Sequence, residues 1–354
     1  MAPVTQLAAT ITADGSIAVK QVAVPKPGTG EVLVKVVAGA QNPTDWKTAA
    51  KLAPREGVNI AGNDFAGVVE EIGPDVPDGL RTVGERVAGF VRGNLGPNGA
   101  FSEYVLASAQ YAIAHVPDSW SLEDAAQLGI APYTAIQTLY QSHNFPLPGA
   151  SAAGTPLLVL GGSSSVGQWV VQFARLSGLY VIATASAKNL ELVKSLGADE
   201  VYDYHDADVT QKIAKAAAAK GGVRHVVDTI SEGSTPKLAF DVLGEEGGVI
   251  AAILPYPAPP PKESIKVINS AAFTLLGKDF DFPFNHVSTP DVKERVRGYV
   301  KVLESIIASG KVKPNPTLVF PKGLASVADG FEFMKAGKVS AQKITYRISD
   351  TPSA

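Results

Sequence analysis

The sequence predicts an α/β protein built from a barrel-like β domain and a doubly wound parallel sheet. Three observations predict it: the first third alternates short apolar and polar runs broken by Gly and Pro, the middle alternates strands with helices, and the C-terminal segment returns to the first pattern. At 354 residues the chain exceeds one small core, and the expected division is 1–128 with 280–354 around an inserted 129–279.

In the first part, "IAVKQVAVP", "EVLVKVVAGAQ", "DFAGVVEEIG", "ERVAGFV" and "AFSEYVLA" have the period of two of antiparallel or barrel strands, with one helix candidate, "PTDWKTAAKL". From Leu122, "SLEDAAQLGIAPYTAIQTLYQ" turns helical, with Ser121 as N-cap and Asp124 completing a capping box. After the linker "PLPGASAAGTP", the strands "LLVLGG", "YVIATAS", "EVYDY", "VRHVVDTI" and "GGVIAAIL" alternate with helical segments, a spacing that requires right-handed crossovers and a parallel sheet. "PYPAPPPKES" reads as a stiff loop, either a connector or a substrate lid. A further strand "AFTLLGK", the helix "TPDVKERVRGYVKVLESIIASGK" and the terminal "GKVSAQKITYRI" lead back to the β domain.

Composition excludes several functions. With 45% hydrophobic and 18% charged residues the chain is globular rather than disordered. A net charge of −3 provides no global basic field for nucleic acid or an anionic membrane. No cationic and apolar leader precedes the first strand, and no apolar run is long enough to span a bilayer, so a cytoplasmic location is expected. The absence of cysteine removes disulfides, a thiol nucleophile and thiolate-ligated zinc. The five histidines are dispersed without metal-ligand spacing, and Glu70 and Glu71, adjacent on a strand, face opposite sides.

The strongest chemical signal is "LLVLGGSSSVGQWVVQ", a strand, a glycine-rich turn and a helix. It aligns as Gly162-x-Ser164-x-x-Gly167, a dinucleotide fingerprint with its middle glycine replaced. Gly162 is expected to make the tight turn and Gly167 the close helix packing, while the Ser164 hydroxyl is free to donate to a phosphate at the helix N-terminus. The next strand ends in "ATASAKN" with no carboxylate to bind a ribose 2′-hydroxyl; Ser186, Lys188 and Asn189 instead suit a 2′-phosphate, and Tyr204 in "YDYHD" adds a ring. NADPH is therefore the expected cofactor.

The landmarks "GEVLVKV", "QNPTDWK", "GNDFAGVVEEIG", "VGERVAGF", "GAFSEYV", "GSSSVG" and "GKVSAQKITYR", in that order, resemble the medium-chain dehydrogenase/reductase superfamily across nearly the whole chain. The resemblance implies a GroES-like β-barrel catalytic domain plus a Rossmann doubly wound sheet. Zinc alcohol dehydrogenases of that superfamily carry Gly-His-Glu where this chain has Gly62-Asn63-Asp64, so the chain is similar to the zinc-free quinone oxidoreductase and enoyl reductase branch. "NPTDWK", "SAKN" and "DYHD" are most similar to fungal trans-acting enoyl reductases of polyketide synthases. The resemblance implies NADPH contacts from Asn42, Pro43, Thr44 and Asp45; from Ser163, Ser164, Ser165 and Val166; from Ser186, Lys188, Asn189 and Tyr204; from Ile253 and Leu254 beside the nicotinamide; and from Ser340, Ala341 and Gln342, where relatives often have glycine near Ala341.

Without metal or thiol, the chemistry left is hydride transfer to an electron-poor carbon, with an activated alkene best suited. Lys47 is the candidate to stabilise the developing enolate, against a plain surface lysine on its helix; Thr134 is a candidate donor, against a threonine bonding its own helix; Tyr133 or water would supply the α-proton. The expected substrate is a free or acyl-carrier-bound unsaturated carbonyl, and the expected assembly a monomer or a homodimer. Selectivity falls to loops such as 256–264 and 282–289. The competing reading is an NADPH-binding protein with little or no turnover.

Overall fold

The computed structural model describes residues 2–51, 57–281 and 284–353. It forms two compact units, Met1–Tyr133 with Phe273–Ala354, and Thr134–Ala272. The divides lie a few residues from the positions the sequence pattern suggests.

Unit 1 begins with the antiparallel hairpin of β1 (Thr5–Ile11) and β2 (Ile17–Ala23). Then follow β3 (Glu31–Ala40), α1 (Pro43–Lys51), β4 (Asp64–Ile72), β5 (Arg86–Phe90), β6 (Tyr104–Ser108) and β7 (Ile113–His115). The helix expected from "PTDWKTAAKL" ends at Lys51, and its last residue, Leu52, lies outside the described residues. The helical stretch after Ser121 is broken into α2 (Leu122–Ala125), α3 (Ile130–Ile136) and a π-helical turn, Gln137–Ser142. Ser121 caps α2 as the capping box predicts, its Oγ accepting the Asp124 N–H at 3.0 Å. The break has a cause at Gly129, where a Cβ would stand 2.3 Å from Asp64 Oδ1. Only glycine permits that approach, and Asp64 then accepts the Ile130 N–H at the start of α3, at 2.9 Å.

Unit 2 alternates β8 (Pro156–Leu160), α4 (Ser165–Leu176), β9 (Tyr180–Ala185), α5 (Leu190–Ser195), β10 (Glu200–Asp203), α6 (Val209–Ala218), β11 (His225–Asp228), α7 (Thr235–Leu243), β12 (Gly248–Ala252) and β13 (Ile265–Asn269). The six strands pair parallel in the order β10-β9-β8-β11-β12-β13, a doubly wound sheet whose strand order reverses beside β8. Leu158, Leu160, Ile182, Val226 and Ile250 form one core with Ile213 and Ala217 of α6 and Ala239 and Leu243 of α7. The expected strand "AFTLLGK" is instead a 3-10 turn, Ala272–Leu276, and the sixth strand is "IKVIN". Three β-branched residues in five favour the strand there, and a short apolar run such as "AFTLL" fits strand and turn equally.

The chain returns to unit 1 through α8 (Pro290–Ala308), β14 (Thr317–Phe320), α9 (Val327–Lys335) and β15 (Lys343–Arg347). Seven strands then share one sheet, β14-β15-β3-β4-β5-β7 with β6 beside β3. Ala9, Ile11, Val34, Phe65, Val69, Phe101, Ile344 and Tyr346 fill one core under this sheet and the hairpin. Among the described residues no helix is long and apolar enough to cross a membrane.

One buried pair makes unit 2 acid-sensitive. His143 Nε2 lies 3.1 Å from the Val226 carbonyl, which can only accept, so Nε2 carries the proton and the bare Nδ1 accepts from His225 Nδ1 at 3.2 Å. Burial holds His143 down to about 3, with His225 adding to the effect. The unfolded chain therefore binds a proton below about pH 6.5 that the folded chain refuses until about pH 3, and stability is lost as pH falls through that window. His143→Gln should flatten the acid limb of a thermal-unfolding profile between pH 6.5 and 4; an unaltered limb would remove the pair as its cause.

Candidate active site

The turn after β8 is where the sequence signal and the structure can be compared atom by atom. The tight turn expected of Gly162 is made by Gly161, whose φ is +77° and where a Cβ would stand 2.6 Å from Ile230. Gly167 plays its expected part: a Cβ there would meet the Gly161 carbonyl at 2.1 Å, so its absence lets α4 close on the strand. Ser164 differs from expectation. Its Oγ accepts the Gly167 N–H at 2.9 Å, making it the N-cap of α4, and shares a 2.8 Å bond with Thr229 Oγ1. Thr229 in turn donates to the Leu160 carbonyl at 2.8 Å, so the Ser164 proton points to Thr229 rather than outward. What the loop offers an anion is the N-terminus of α4, opened by Ser165 and Val166, and the partly buried Ser163.

The ends of β9 and β10 gather the other expected residues. Asn189 Nδ2 donates to Ser186 Oγ at 3.1 Å and, more weakly, to Ser163 Oγ at 3.4 Å, joining the turn after β8 to the turn after β9. Both serine hydroxyls keep a proton to donate. Lys188 is exposed and has no ion-pair partner among the described residues. The Tyr204 N–H reaches the Ala185 carbonyl at 3.3 Å, and its ring lies against His205 with centroids 4.0 Å apart. The carboxylate close by, Asp203, accepts the His205 backbone N–H at 2.9 Å, pairs with His205 Nδ1 at 2.8 Å and accepts the Ala187 N–H at 3.0 Å, bonds that lower its pKa. Ile253 and Leu254 follow β12, partly buried, with the Ile253 N–H held by Ser231 Oγ at 3.0 Å.

Unit 1 holds a buried polar cluster that sequence reading missed in part. Lys343, 2% exposed, donates to Asn42 Oδ1 at 2.6 Å and to Asp64 Oδ2 at 3.1 Å. Asp45, in the first turn of α1, accepts the Asn42 N–H at 2.6 Å and the Asn63 amide, while Asn63 Oδ1 takes the Gly93 N–H at 3.0 Å. Asp64 thus pairs directly with the one buried ammonium, which Asp45 feels only at longer range. Burial first, and the Asp64 charge second among the raising effects, push Asp45 up to about 7; burial raises Asp64 as well. Asn63 and Asp64 are the positions at which the resemblance to zinc alcohol dehydrogenases would put His-Glu. An amide already bonded to Asp45 and a carboxylate already compensated by an ammonium do not fit a zinc site. Among the described residues no group of three or more His, Asp and Glu could hold a metal.

The remaining expected residues scatter. Pro43 is exposed, and Thr44 Oγ1 lies 3.4 Å from Thr48 Oγ1 on α1. Lys47 is half-buried, its Nζ 5.9 Å from the centre of the Trp46 ring. Tyr133 is fully buried against Phe90, and burial raises the pKa of its hydroxyl, which has no hydrogen-bond partner among the described residues. Thr134 is buried in α3. Ser340 and Ala341 are partly buried and Gln342 exposed; Ala341 has a φ of +55°, the left-handed backbone that glycine adopts without strain. Of the 282–289 loop, Phe282 and Pro283 lie outside the described residues.

Two outcomes follow from the cluster. Lys343→Met leaves buried carboxylates without a cation and should cost about 3–5 kcal/mol in denaturant unfolding. The double variant Lys343→Met/Asp64→Asn should recover part of that loss, whereas simple additivity would show that the ion pair is not its source. For Asp45, the folded chain keeps a proton that the unfolded chain releases near 3.8, so stability falls as pH rises from about 4 to about 7. Asp45→Asn should reduce that fall; an unchanged slope would contradict it.

The chain matches the model of the alcohol dehydrogenase GroES-like domain over residues 28–118 and that of the zinc-binding dehydrogenase over 165–278. A trans-enoyl reductase of Alternaria alternata is 36% identical, covering 97% of this chain and 99% of that protein. One of Gibberella zeae is 35% identical over 95% of each. Among solved structures, the CurK enoyl reductase superposes with a TM-score of 0.75 at 20% identity over 96% of this chain and 99% of that one. The quinone oxidoreductase of Coxiella burnetii gives 0.74 at 23% over 97% and 99%. The chain belongs to the medium-chain dehydrogenase/reductase superfamily, in the group that includes the fungal trans-enoyl reductases.

Proposed function

We propose that this protein is a zinc-independent, NADPH-dependent reductase of activated C=C bonds, taking an α,β-unsaturated carbonyl that is free or held as a thioester on an acyl carrier. The observation that carries the cofactor reading is the Asn189 bridge between Ser163 and Ser186: two proton-bearing hydroxyls and the exposed Lys188 meet where β9 ends without a carboxylate. That set matches a 2′-phosphate and a diphosphate read by neighbouring turns. The trans-enoyl reductase relatives support the substrate class, and their coverage of nearly the whole chain supports carrying over the activity.

A reduced nicotinamide, when bound, supplies the hydride. The residues of this chain then have separable tasks. Lys47, on α1, is the candidate to bring an ammonium to the carbonyl oxygen on which negative charge develops, and Thr134 is a separate candidate donor. Asn42 and Asp45 fix the start of α1 through the cluster around Lys343, keeping Lys47 in register, and Pro43 and Thr44 follow there as the other expected cofactor contacts. Ser165 and Val166 would offer the α4 N-terminus to the diphosphate, Tyr204 its ring to the adenine, and Ile253 and Leu254 the end of β12 to the nicotinamide, while Ser340, Ala341 and Gln342 are carried over from the resemblance as further contacts. Tyr133 is too deeply buried to meet substrate readily, so water delivers the α-proton. The protein acts as a monomer or a homodimer in the cytoplasm.

NADPH oxidation measured against N-acetylcysteamine enoyl thioesters, simple enones and quinones tests the proposal. Turnover that saturates in at least one class, with NADH clearly poorer, is expected; saturable NADPH binding with no turnover in any class would reject the enzyme. Lys188→Ala should raise the KM for NADPH roughly tenfold, leaving that for NADH unchanged. Lys47→Ala should lower kcat by on the order of a hundredfold, and an unaffected kcat would remove Lys47 from the chemistry.

A further inference from the structure

The turn that follows β11 engages more of unit 2 than a connector needs to. Toward β8, Thr229 Oγ1 lies 2.8 Å from the Leu160 carbonyl and 3.0 Å from that of Gly161, and it accepts the Ser164 hydroxyl at 2.8 Å. Toward β12, the fully buried Asp228 uses both carboxylate oxygens. Its Oδ1 accepts the N–H groups of Ile230 and Ser231 at 3.0 and 2.8 Å, and its Oδ2 accepts the Tyr256 hydroxyl at 2.7 Å. Ser231 Oγ donates to the Asp228 carbonyl at 3.0 Å and accepts the Ile253 N–H at 3.0 Å.

The backbone of this turn is not a preferred one. Ser231 has a φ of +57°, uncommon for a residue with a side chain, so the hydrogen bonds hold the turn where its backbone preference would not. The Tyr256 ring packs edge-on against Phe240 of α7 with centroids 5.5 Å apart, and burial keeps its hydroxyl protonated and donating. The proline-dense loop after β12 is thereby tied at its second residue to the end of a neighbouring strand. A loop fastened so close to its start is held where it leaves Ile253 and Leu254.

We propose that Asp228, Thr229 and Ser231 are positioning residues that set two halves of one dinucleotide site from a single turn. Thr229 holds the Ser164 cap, and with it the loop facing the diphosphate. Asp228 and Ser231, through Tyr256 and the Ile253 N–H, hold the strand end facing the nicotinamide. The inference rests on reading unit 2 as the NADPH site, and it predicts that the halves can be weakened separately.

Calorimetric titration with NADPH and with adenosine 2′,5′-bisphosphate, which lacks the nicotinamide half, separates them. Tyr256→Phe keeps the ring against Phe240 and removes only the donor. It should weaken NADPH roughly tenfold and leave the bisphosphate unaltered. Thr229→Val should weaken both by a similar factor, because both ligands carry the phosphate that faces the Ser164 loop. Equal weakening of both ligands by Tyr256→Phe, no effect of it on either, or no effect of Thr229→Val would overturn the proposal with the cofactor reading intact. Wild-type protein that binds neither ligand would overturn both.

Discussion

The buried ion pair between Lys343 and Asp64 is the constraint on which unit 1 depends. The chain leaves this unit after Tyr133 and comes back at Phe273, so its sheet is completed by a strand made from the last dozen residues. β15 lies antiparallel to β3, with Thr345 opposite Ala40, and Ala40 lies opposite Asp64 of β4. Lys343 therefore reaches across β3 to Asp64 and at the same time to Asn42 at the head of α1. A charge pair of this kind contributes little net stability over an apolar isostere, but leaving one member alone is expensive. Its effect is to penalise any register of β15 other than the observed one. The position of α1, and so of Lys47, follows from that register.

The same cluster sets the surroundings of α1. In it, Asn63 and Asp64 are bound into a network of amides, carboxylates and one ammonium. Its positive charge is that of Lys343, a side chain on β15. Such a network holds the start of α1 rigidly, and under the proposed function carbonyl polarisation falls to hydrogen-bond donors and a nearby cation.

Much of unit 2 was legible because its signals are local. The strand, turn and helix around Gly161, and the missing carboxylate after β9, can be read within a few residues of each other, and Ser163, Ser186 and Asn189 do meet. The role of Ser164 was not legible, since its proton is taken by Thr229, which is distant in sequence. Lys343 looks in "QKITYR" like any strand lysine; only the pairing of β15 with β3 turns it inward. The strand at Ile265–Asn269 was missed because the proline-rich segment before it masked a short β-branched run. Ala341 shows the reverse case: the resemblance implies glycine near that position, and Ala341 has the left-handed backbone that glycine adopts without strain.

If the reduced bond is C=C, the fate of the transferred hydrogen distinguishes this protein from a carbonyl-reducing dehydrogenase. Turnover of an enoyl thioester with NADPH deuterated at the transferred position, followed by mass spectrometry and NMR of the product, reads that fate directly. The account predicts one deuterium on the β-carbon of a saturated thioester and an α-hydrogen drawn from solvent. Deuterium on the carbonyl carbon of an alcohol product would contradict it.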